Sequence, residues 1–257
     1  MAAPPVAERA RALGIALEQP ESVNEPSAGA SIAQAQPEVV VVCAFGALIK
    51  EPLLSAHELL NVHPSLLPRW RGAAPIERAI MAGDERTGVS IMRLTAGLDS
   101  GPVCAGAAEP IASEDTYGSL ATRLSEIGGE LLVRTLEEIA QGAPPAFAEQ
   151  DQKGVSYAEK IGPEDRLLDP SRPASELELL VRALHPQIGA RVALADGTLL
   201  SVQRARVAAE RMPAGTLTGV EGRLLYGAGD NALELLEVQP AGGRPMDAAA
   251  YLRGHAR

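Results

Sequence analysis

Residues Glu38 to Phe45, EVVVVCAF, form a continuous β-branched run. Branching at Cβ favours extended backbone. A run without polar alternation suits a strand covered on both faces, as in a parallel sheet. LLNVHPS, TGVSIMRL and GPVCAGAAEPI are further strand candidates downstream. GAAPIERAIMAGD has helical spacing, with Ile76, Ile80 and Met81 on one side. Between Thr116 and Gln141, Leu120, Leu124, Ile127, Leu131, Leu132 and Leu136 recur at three and four residues, predicting one long helix. PPVAERARALGI predicts a short helix before the first strand, and Glu18 to Gly29, with Pro20 and Pro26, reads mostly as loop. The expected class is α/β with an open, mostly parallel sheet. Such sheets usually begin with a strand; this one opens on a helix, and no Gly-rich phosphate fingerprint precedes EVVVVCAF.

QGAPPAFAEQDQKG breaks the periodicity and reads as a linker. Beyond it, the helical ASELELLVRAL precedes ARVALADGTLLSVQRARVA, GTLTGV, RLLYGAG and ALELLEVQPAGG. Short strands at short intervals with Gly or Asp-Gly turns are the signature of a small barrel or sandwich. MDAAAYLRGHA reads as a closing helix. The expected domains are 1–142, a linker 143–160, and a β-rich 161–257.

Aromatics are only 3% of the 257 residues, so aliphatic side chains must fill the cores. Cys43 and Cys104 lack CxxC spacing and are expected to be reduced and buried. No apolar run approaches the roughly 20 residues of a membrane span, and the charged start MAAPPVAERARALG is no signal peptide. A soluble, cytoplasmic protein is expected. The formal charge of −10, taken alone, disfavours a nucleic-acid partner.

Asn61 and His63 fall at the carboxyl end of a candidate strand, where open α/β sheets bind ligands. Residues i and i+2 share a strand face, so both can point into one cleft. Pro64 and Pro68 stiffen the next turn, and the SLL between them would offer main-chain polar groups and two leucines to a flat, partly apolar ligand. In TAGLDSGPV, Gly97 and Gly101 flank Asp99, allowing a tight loop that presents one carboxylate; a neighbouring strand would bring it near His63. An asparagine amide can donate to an oxygen gaining negative charge. An imidazole moves protons near neutrality, and a carboxylate fixes its tautomer or takes a proton. No serine or cysteine stands at nucleophile spacing, so the attacking group should belong to the substrate. A structural Asn-x-His, a plain turn at Asp99, and solvated Arg69 and Arg71 are the bland alternatives. Trp70 is either an exposed aromatic or a lid. His57, His185 and His255 lie outside any cluster, and no group has metal-ligand spacing.

NVHPSLLPRWRGAAPIERAIMAGDERTGVSIMRL followed by GLDSG, together with the tail element LLEVQPAGGRPM, closely resembles the methionyl-tRNA formyltransferase family of folate-dependent formyltransferases. The likeness runs from about PPVAERARALGI to AAAYLR. It implies a sheet domain holding 10-formyltetrahydrofolate as co-substrate and a small OB-like β-barrel that helps grip initiator methionyl-tRNA. The implied reaction passes the formyl group to the free α-amine of the methionyl residue, for translation initiation. On matching positions, Asn61, His63 and Asp99 correspond to the catalytic trio. Ser65, Leu66, Leu67 and Pro68 correspond to the folate-contacting loop, and Phe45 and Gly46, in the AFGALI turn, to the pterin slot. No metal is implied, and a monomer away from membranes is expected. Arg204, Arg206 and Arg211 are tRNA candidates on count alone. Family members begin with a strand, a helix, a second strand and a basic loop. This chain starts just after that loop, so Met1 is expected to be an internal start or the edge of a fragment, with activity in doubt. A formyltransferase for amino-sugar nucleotides or glycinamide ribonucleotide, or an inactive folate- or tRNA-binding homologue, remains the alternative.

Overall fold

The computed structural model describes residues 4–255, which fall into two compact units meeting between Leu60 and Asn61. In the first unit, Pro5–Ala12 (α1) and Pro26–Gln34 (α2) each carry proline in the first helical positions, where its missing N–H costs nothing. α2 begins inside the stretch expected to be mostly loop. Its PSAGASIAQ has one large apolar side chain, Ile32, so no apolar stripe announces it. Val40–Cys43 (β1) forms as expected, and the Val40 N–H donates to the Glu58 carbonyl at 2.8 Å. Its burial does not follow expectation. Only Val42 is buried, and Val41 and Cys43 are exposed. The short helix Leu53–Ala56 (α3) and the side chains of Val23, Ile32, Phe45 and Ile49 leave an open apolar groove along β1. Cys43 is therefore an exposed free thiol; Cys104, in the other unit, is half-buried, and its thiol donates to the Ile91 carbonyl at 3.5 Å. Neither reaches the expected burial.

Leu59–His63 (β2) starts in the first unit and ends in the second. The second unit continues with Arg71–Gly72 (β3), Pro75–Met81 (α4), Arg86–Arg93 (β4), Val103–Pro110 (β5) and Tyr117–Ala140 (α5). β4 lies between β2 and β5 and pairs antiparallel with β5. From Thr87 to Met92 β4 is buried without a break, the two-faced burial expected of a central strand. α5 forms because Thr116 caps it. The Thr116 Oγ1 accepts from the Ser119 N–H at 3.3 Å, and the Ser119 hydroxyl accepts from the Thr116 N–H at 3.0 Å. Leu120 and Leu124 of α5 pack with Ile76, Ile80 and Val89. Gly128 keeps α5 close to the strands, since a Cβ there would lie 3.2 Å from Val62 and 3.4 Å from Val89.

Tyr157–Ala158 (β6) pairs in parallel with β3. Then come Ala174–Leu184 (α6), Ala190–Ala193 (β7), Leu199–Ala208 (β8), Leu217–Val220 (β9), Arg223–Gly227 (β10), Ala232–Gln239 (β11), Met246–Asp247 (β12) and Ala248–His255 (α7). The His255 side chain lies outside the described residues. β7 to β12 make one six-stranded antiparallel sheet in the order β7-β8-β11-β10-β9, with β12 on β11; β7 and β9 are the ends of this open path. The β7–β8 hairpin turns at Asp196-Gly197, as its sequence announces. Gly197 has φ +82°, and the Asp196 carboxylate accepts from the Thr198 N–H at 3.0 Å.

α6 ties this sheet to the strands before it. Leu177, Leu180, Val181 and Leu184 enter the sheet's core with Leu200, Leu224, Leu233 and Val238, while Ala183 joins the cluster of α4 and α5. Polar contacts follow the same seam. Arg78 grips Asp165 through two nitrogens at 3.0 and 3.1 Å, and Arg182 donates to the Asp115 carbonyl at 2.7 Å. The Asp115 carboxylate takes two bonds from Arg123, which hold it well below the usual carboxylate range, with further help from Ser119 and the Ala112 N–H.

Candidate active site

β2 delivers Asn61 and His63 to the same side of its last turn, as their i, i+2 spacing requires. Asp99 comes from the loop joining β4 to β5. It has φ +43°, a conformation Asp tolerates better than most residues. The three side chains do converge. The Asn61 Nδ2 donates weakly to Asp99 Oδ1 at 3.4 Å, and His63 Nδ1 lies 3.8 Å from Asp99 Oδ2. That oxygen also accepts the Gly72 N–H at 2.8 Å. The opposite ring nitrogen, His63 Nε2, is 2.8 Å from the Trp70 carbonyl. His63 is 4% exposed. Asn61 therefore retains donor capacity, and His63 Nδ1 has no partner at ordinary hydrogen-bond length among the described residues.

Gln150, which motif reasoning did not single out, holds Asp99 from behind, and Arg71 holds Gln150. Arg71, expected as a solvated side chain or a site residue, is 4% exposed. Its Nε and Nη2 donate to Gln150 Oε1 at 3.0 and 2.8 Å. The Gln150 amide then donates to the carbonyls of Asp99 and Gly101 at 2.9 and 2.7 Å. Gln150 sits in the stretch read as a linker, as does Ser156, whose Oγ accepts the Trp70 N–H at 2.9 Å. Ala148 from the same stretch exchanges backbone hydrogen bonds with Val103 at 2.8 and 2.9 Å. The segment thus packs along the site rather than hanging beside it. Its sequence signal is slight: a glutamine in an aperiodic run has no mark distinguishing it from a surface polar residue.

The Pro64–Pro68 loop is built differently from expectation. The Ser65 hydroxyl donates to the Arg69 carbonyl at 2.6 Å, and Ser65 is completely buried. Ser90 Oγ donates to the Ser65 carbonyl at 2.8 Å and accepts from the Leu67 N–H at 3.1 Å. The Ser65 N–H and the Leu66 carbonyl also find partners inside the loop. These main-chain groups shape the turn and are not offered to a ligand. Leu66 leans on β4, so that a Cβ on Gly88 would meet its Cδ2 at 2.6 Å. Leu67 and Pro68 instead line an open depression with Val103, Cys104, Gly106, Ala146 and Ala148. Phe45 and Gly46 lie in the other unit, both exposed. Arg204, Arg206 and Arg211 are exposed on and beside β8, with Arg206 paired to Glu234 at 2.9 Å. No helix of the described residues is long and apolar enough to cross a membrane.

Residues 3–136 match the family profile described as Formyl transferase, and residues 160–256 match Formyl transferase, C-terminal domain. Methionyl-tRNA formyltransferase of Halorhodospira halophila is 44% identical over 98% of this chain and 82% of that protein. The enzyme of the same name from Paracoccus denitrificans is 44% identical over 98% of this chain and 83% of its own. Among solved structures, HypX from Aquifex aeolicus in complex with tetrahydrofolic acid superposes with a TM-score of 0.68 at 20% identity, covering 89% of this chain and 41% of that one. An N-formyltransferase from Helicobacter canadensis, in complex with folinic acid and dTDP-3-aminofucose, gives 0.58 at 16% identity over 74% and 70%. These two likenesses concern the fold. With both profiles matched and close relatives aligned over nearly its whole length, the chain belongs to the formyl transferase family.

Proposed function

We propose that this protein transfers the formyl group of 10-formyltetrahydrofolate to the α-amine of methionyl-initiator tRNA, with Asn61, His63 and Asp99 as its catalytic residues. The observation that carries the reading is their convergence. An amide donor, a ring nitrogen without a close partner and a carboxylate meet within 3.4 to 3.8 Å, with no nucleophile of the chain among them. The folate co-substrate supplies an activated formyl carbon. The Asn61 Nδ2 donates to the formyl oxygen as it gains negative charge. His63, once protonated, adds its charge to that stabilisation, and Asp99 holds the imidazole and helps carry the proton of the attacking amine.

The residues present fit a flat, partly apolar donor. Leu67 and Pro68 border an open depression that is apolar on the side of Val103, Ala146 and Ala148 and polar on the side of Glu149, Gln150 and Asp151, and the amide of Asn61 and Nδ1 of His63 remain available for polar contact. Leu66 is proposed to complete its binding, with Ser65 contributing by shaping the loop; in the other unit, Phe45 and Gly46 are proposed as folate-contacting residues on the family resemblance alone. Residues 1–142 would form the formyl-transfer domain and 161–257 the tRNA-binding domain; the two profile matches flank the connecting 143–160. The charge of −10 places the burden of tRNA contact on local arginines such as Arg204, Arg206 and Arg211. We further propose a cytoplasmic monomer.

The test compares acceptors. Purified chain with 10-formyltetrahydrofolate is expected to formylate methionyl-initiator tRNA and to leave a dTDP-amino sugar or glycinamide ribonucleotide untouched. The reverse preference would overturn the acceptor, and folate binding without any transfer would overturn the activity.

A further inference from the structure

Trp70 is an L-residue with φ +63°, a conformation that normally favours glycine. Holding a non-glycine residue there is costly and persists only where surrounding contacts over-determine it. Here they do. The Trp70 N–H donates to Ser156 Oγ at 2.9 Å. Its indole N–H donates to Asp84 Oδ2 at 2.8 Å. Arg69 grips the same carboxylate through Nε and Nη2 at 2.7 and 2.6 Å, with its guanidinium carbon 4.4 Å from the centre of the indole ring. The product of this arrangement is the direction of one group: the Trp70 carbonyl, 2.8 Å from His63 Nε2.

A carbonyl oxygen accepts and never donates. The Nε2 of His63 must therefore carry a hydrogen, and in the neutral ring Nδ1 carries the lone pair. Nδ1 is also the nitrogen turned toward Asp99, at 3.8 Å, too far for a hydrogen bond, so this carboxylate does not demand a hydrogen on Nδ1 in the neutral ring and pairs with it only once Nδ1 has taken a proton. Building on the formyl-transfer reading, we propose that Trp70, clamped by Asp84, Arg69 and Ser156, is a positioning residue that fixes His63 as the Nε2–H tautomer, so that Nδ1 is the nitrogen that exchanges protons during the reaction.

The proton balance is simple. The substrate amine bonds to the formyl carbon through its lone pair and becomes positively charged. One of its protons passes to His63 Nδ1, which turns the ring into an imidazolium beside the oxygen that has gained charge and beside Asp99. When the bond between the formyl carbon and the folate nitrogen breaks, that nitrogen recovers the proton and Nδ1 regains its lone pair. Nε2 keeps its hydrogen and its bond to Trp70 throughout, so the ring does not rotate during turnover.

The test is a long-range proton–nitrogen NMR spectrum of the full chain labelled with 15N-histidine, at a pH where the ring is neutral, with His63→Gln used to assign the His63 signals. The expected spectrum shows Nε2 protonated and Nδ1 bare. Protonation on Nδ1, or an even mixture, overturns the proposal. In Asp84→Ala the clamp loses its anchor; the tautomers are expected to mix, and kcat for formyl transfer to fall by up to about 100-fold with KM unchanged, as misoriented catalytic groups typically show. Asp84→Asn, which can still accept the indole N–H, should recover most of the loss. Trp70→Phe, which keeps an aromatic ring but loses the indole N–H bond to Asp84 and part of the ring under Arg69, is the second variant and should move the spectrum the same way. An unchanged His63 spectrum in both Asp84→Ala and Trp70→Phe overturns the clamp. The spectrum needs no turnover. A chain that shows the expected tautomer yet formylates nothing would support this placement of the proton and sink the proposed activity.

Discussion

Gln150 offers the sharpest test of how the site is held together. The side chain is 7% exposed and makes four hydrogen bonds: two from the Arg71 guanidinium and two to the carbonyls of Asp99 and Gly101. In Gln150→Ala, Arg71 remains buried with both of these nitrogens unpartnered. Among the described residues no carboxylate forms an ion pair with it, so the guanidinium leans on these bonds. Losing a hydrogen-bond acceptor to a buried charged group costs about 1.5–3 kcal/mol. With a urea m-value of about 2–3 kcal/mol/M, the midpoint should fall by roughly 0.5–1.5 M. Trp70 is the only tryptophan in the chain, and its neighbour in sequence is Arg71, so its fluorescence reports the unfolding of this region directly. The double variant Arg71→Met/Gln150→Leu removes the charge as well as its acceptor and should be clearly less destabilised than the sum of the single variants. A loss within about 0.5 kcal/mol for Gln150→Ala, the range of an ordinary surface substitution, would refute the claim that Gln150 braces the Asp99 loop.

Two further outcomes follow from the same geometry. A Cβ on Gly101 would lie 1.9 Å from the Arg93 carbonyl, a backbone atom that cannot swing away. Gly101→Ala should therefore destabilise by about 1–3 kcal/mol or more, seen as a lowered Tm, and should weaken formyl transfer by shifting Asp99. Acid should also destabilise the chain. Asp115, Asp165 and Glu234 are held below their ordinary values chiefly by hydrogen bonds from Arg123, Arg78 and Arg223. A carboxylate with a depressed folded value contributes stability above its unfolded value, about 3.9 for Asp and 4.3 for Glu, and loses it as pH falls through the lower folded value. Stability should hold from neutrality to about pH 5 and drop below about pH 4, and Arg123→Ala should flatten that drop in a urea series across pH.

Much of the architecture is legible in local patterns. The leucines from Leu120 to Leu136 mark α5, and the alternation around Asp196-Gly197 marks the β7–β8 hairpin, because both record which face of one element is buried. Asn61, His63 and Asp99 are legible for a related reason: each stands at a strand end or between glycines, where the backbone itself is the signal. The supporting residues are not. Arg71 and Gln150 are 79 positions apart, and Trp70 and Ser156 are 86 apart. Contacts of that span leave no periodicity, and an aperiodic stretch such as 143–160 reads as a connector whether or not it packs. The Ser65–Pro68 turn misleads in another way, since its polar groups face Ser90 and Arg69, partners that its own spacing does not reveal. The exposed face of β1 shows the limit of composition: a valine run states what would favour burial, and the open groove beside it shows that this unit does not supply the cover.

The central claim is that Asn61 and His63 stabilise charge that appears only as the formyl group is transferred. It is tested most directly by the single-turnover rate of formyl transfer to methionyl-initiator tRNA by Asn61→Ala and His63→Ala, each first shown to unfold at the wild-type urea midpoint. Loss of a donor to a developing oxyanion slows a reaction by roughly 100- to 1000-fold, and that loss is expected in the rate while affinity for the folate co-substrate stays within about threefold, less than the roughly fivefold change that 1 kcal/mol would bring. Variants that fold normally and transfer the formyl group at near wild-type rates would contradict it.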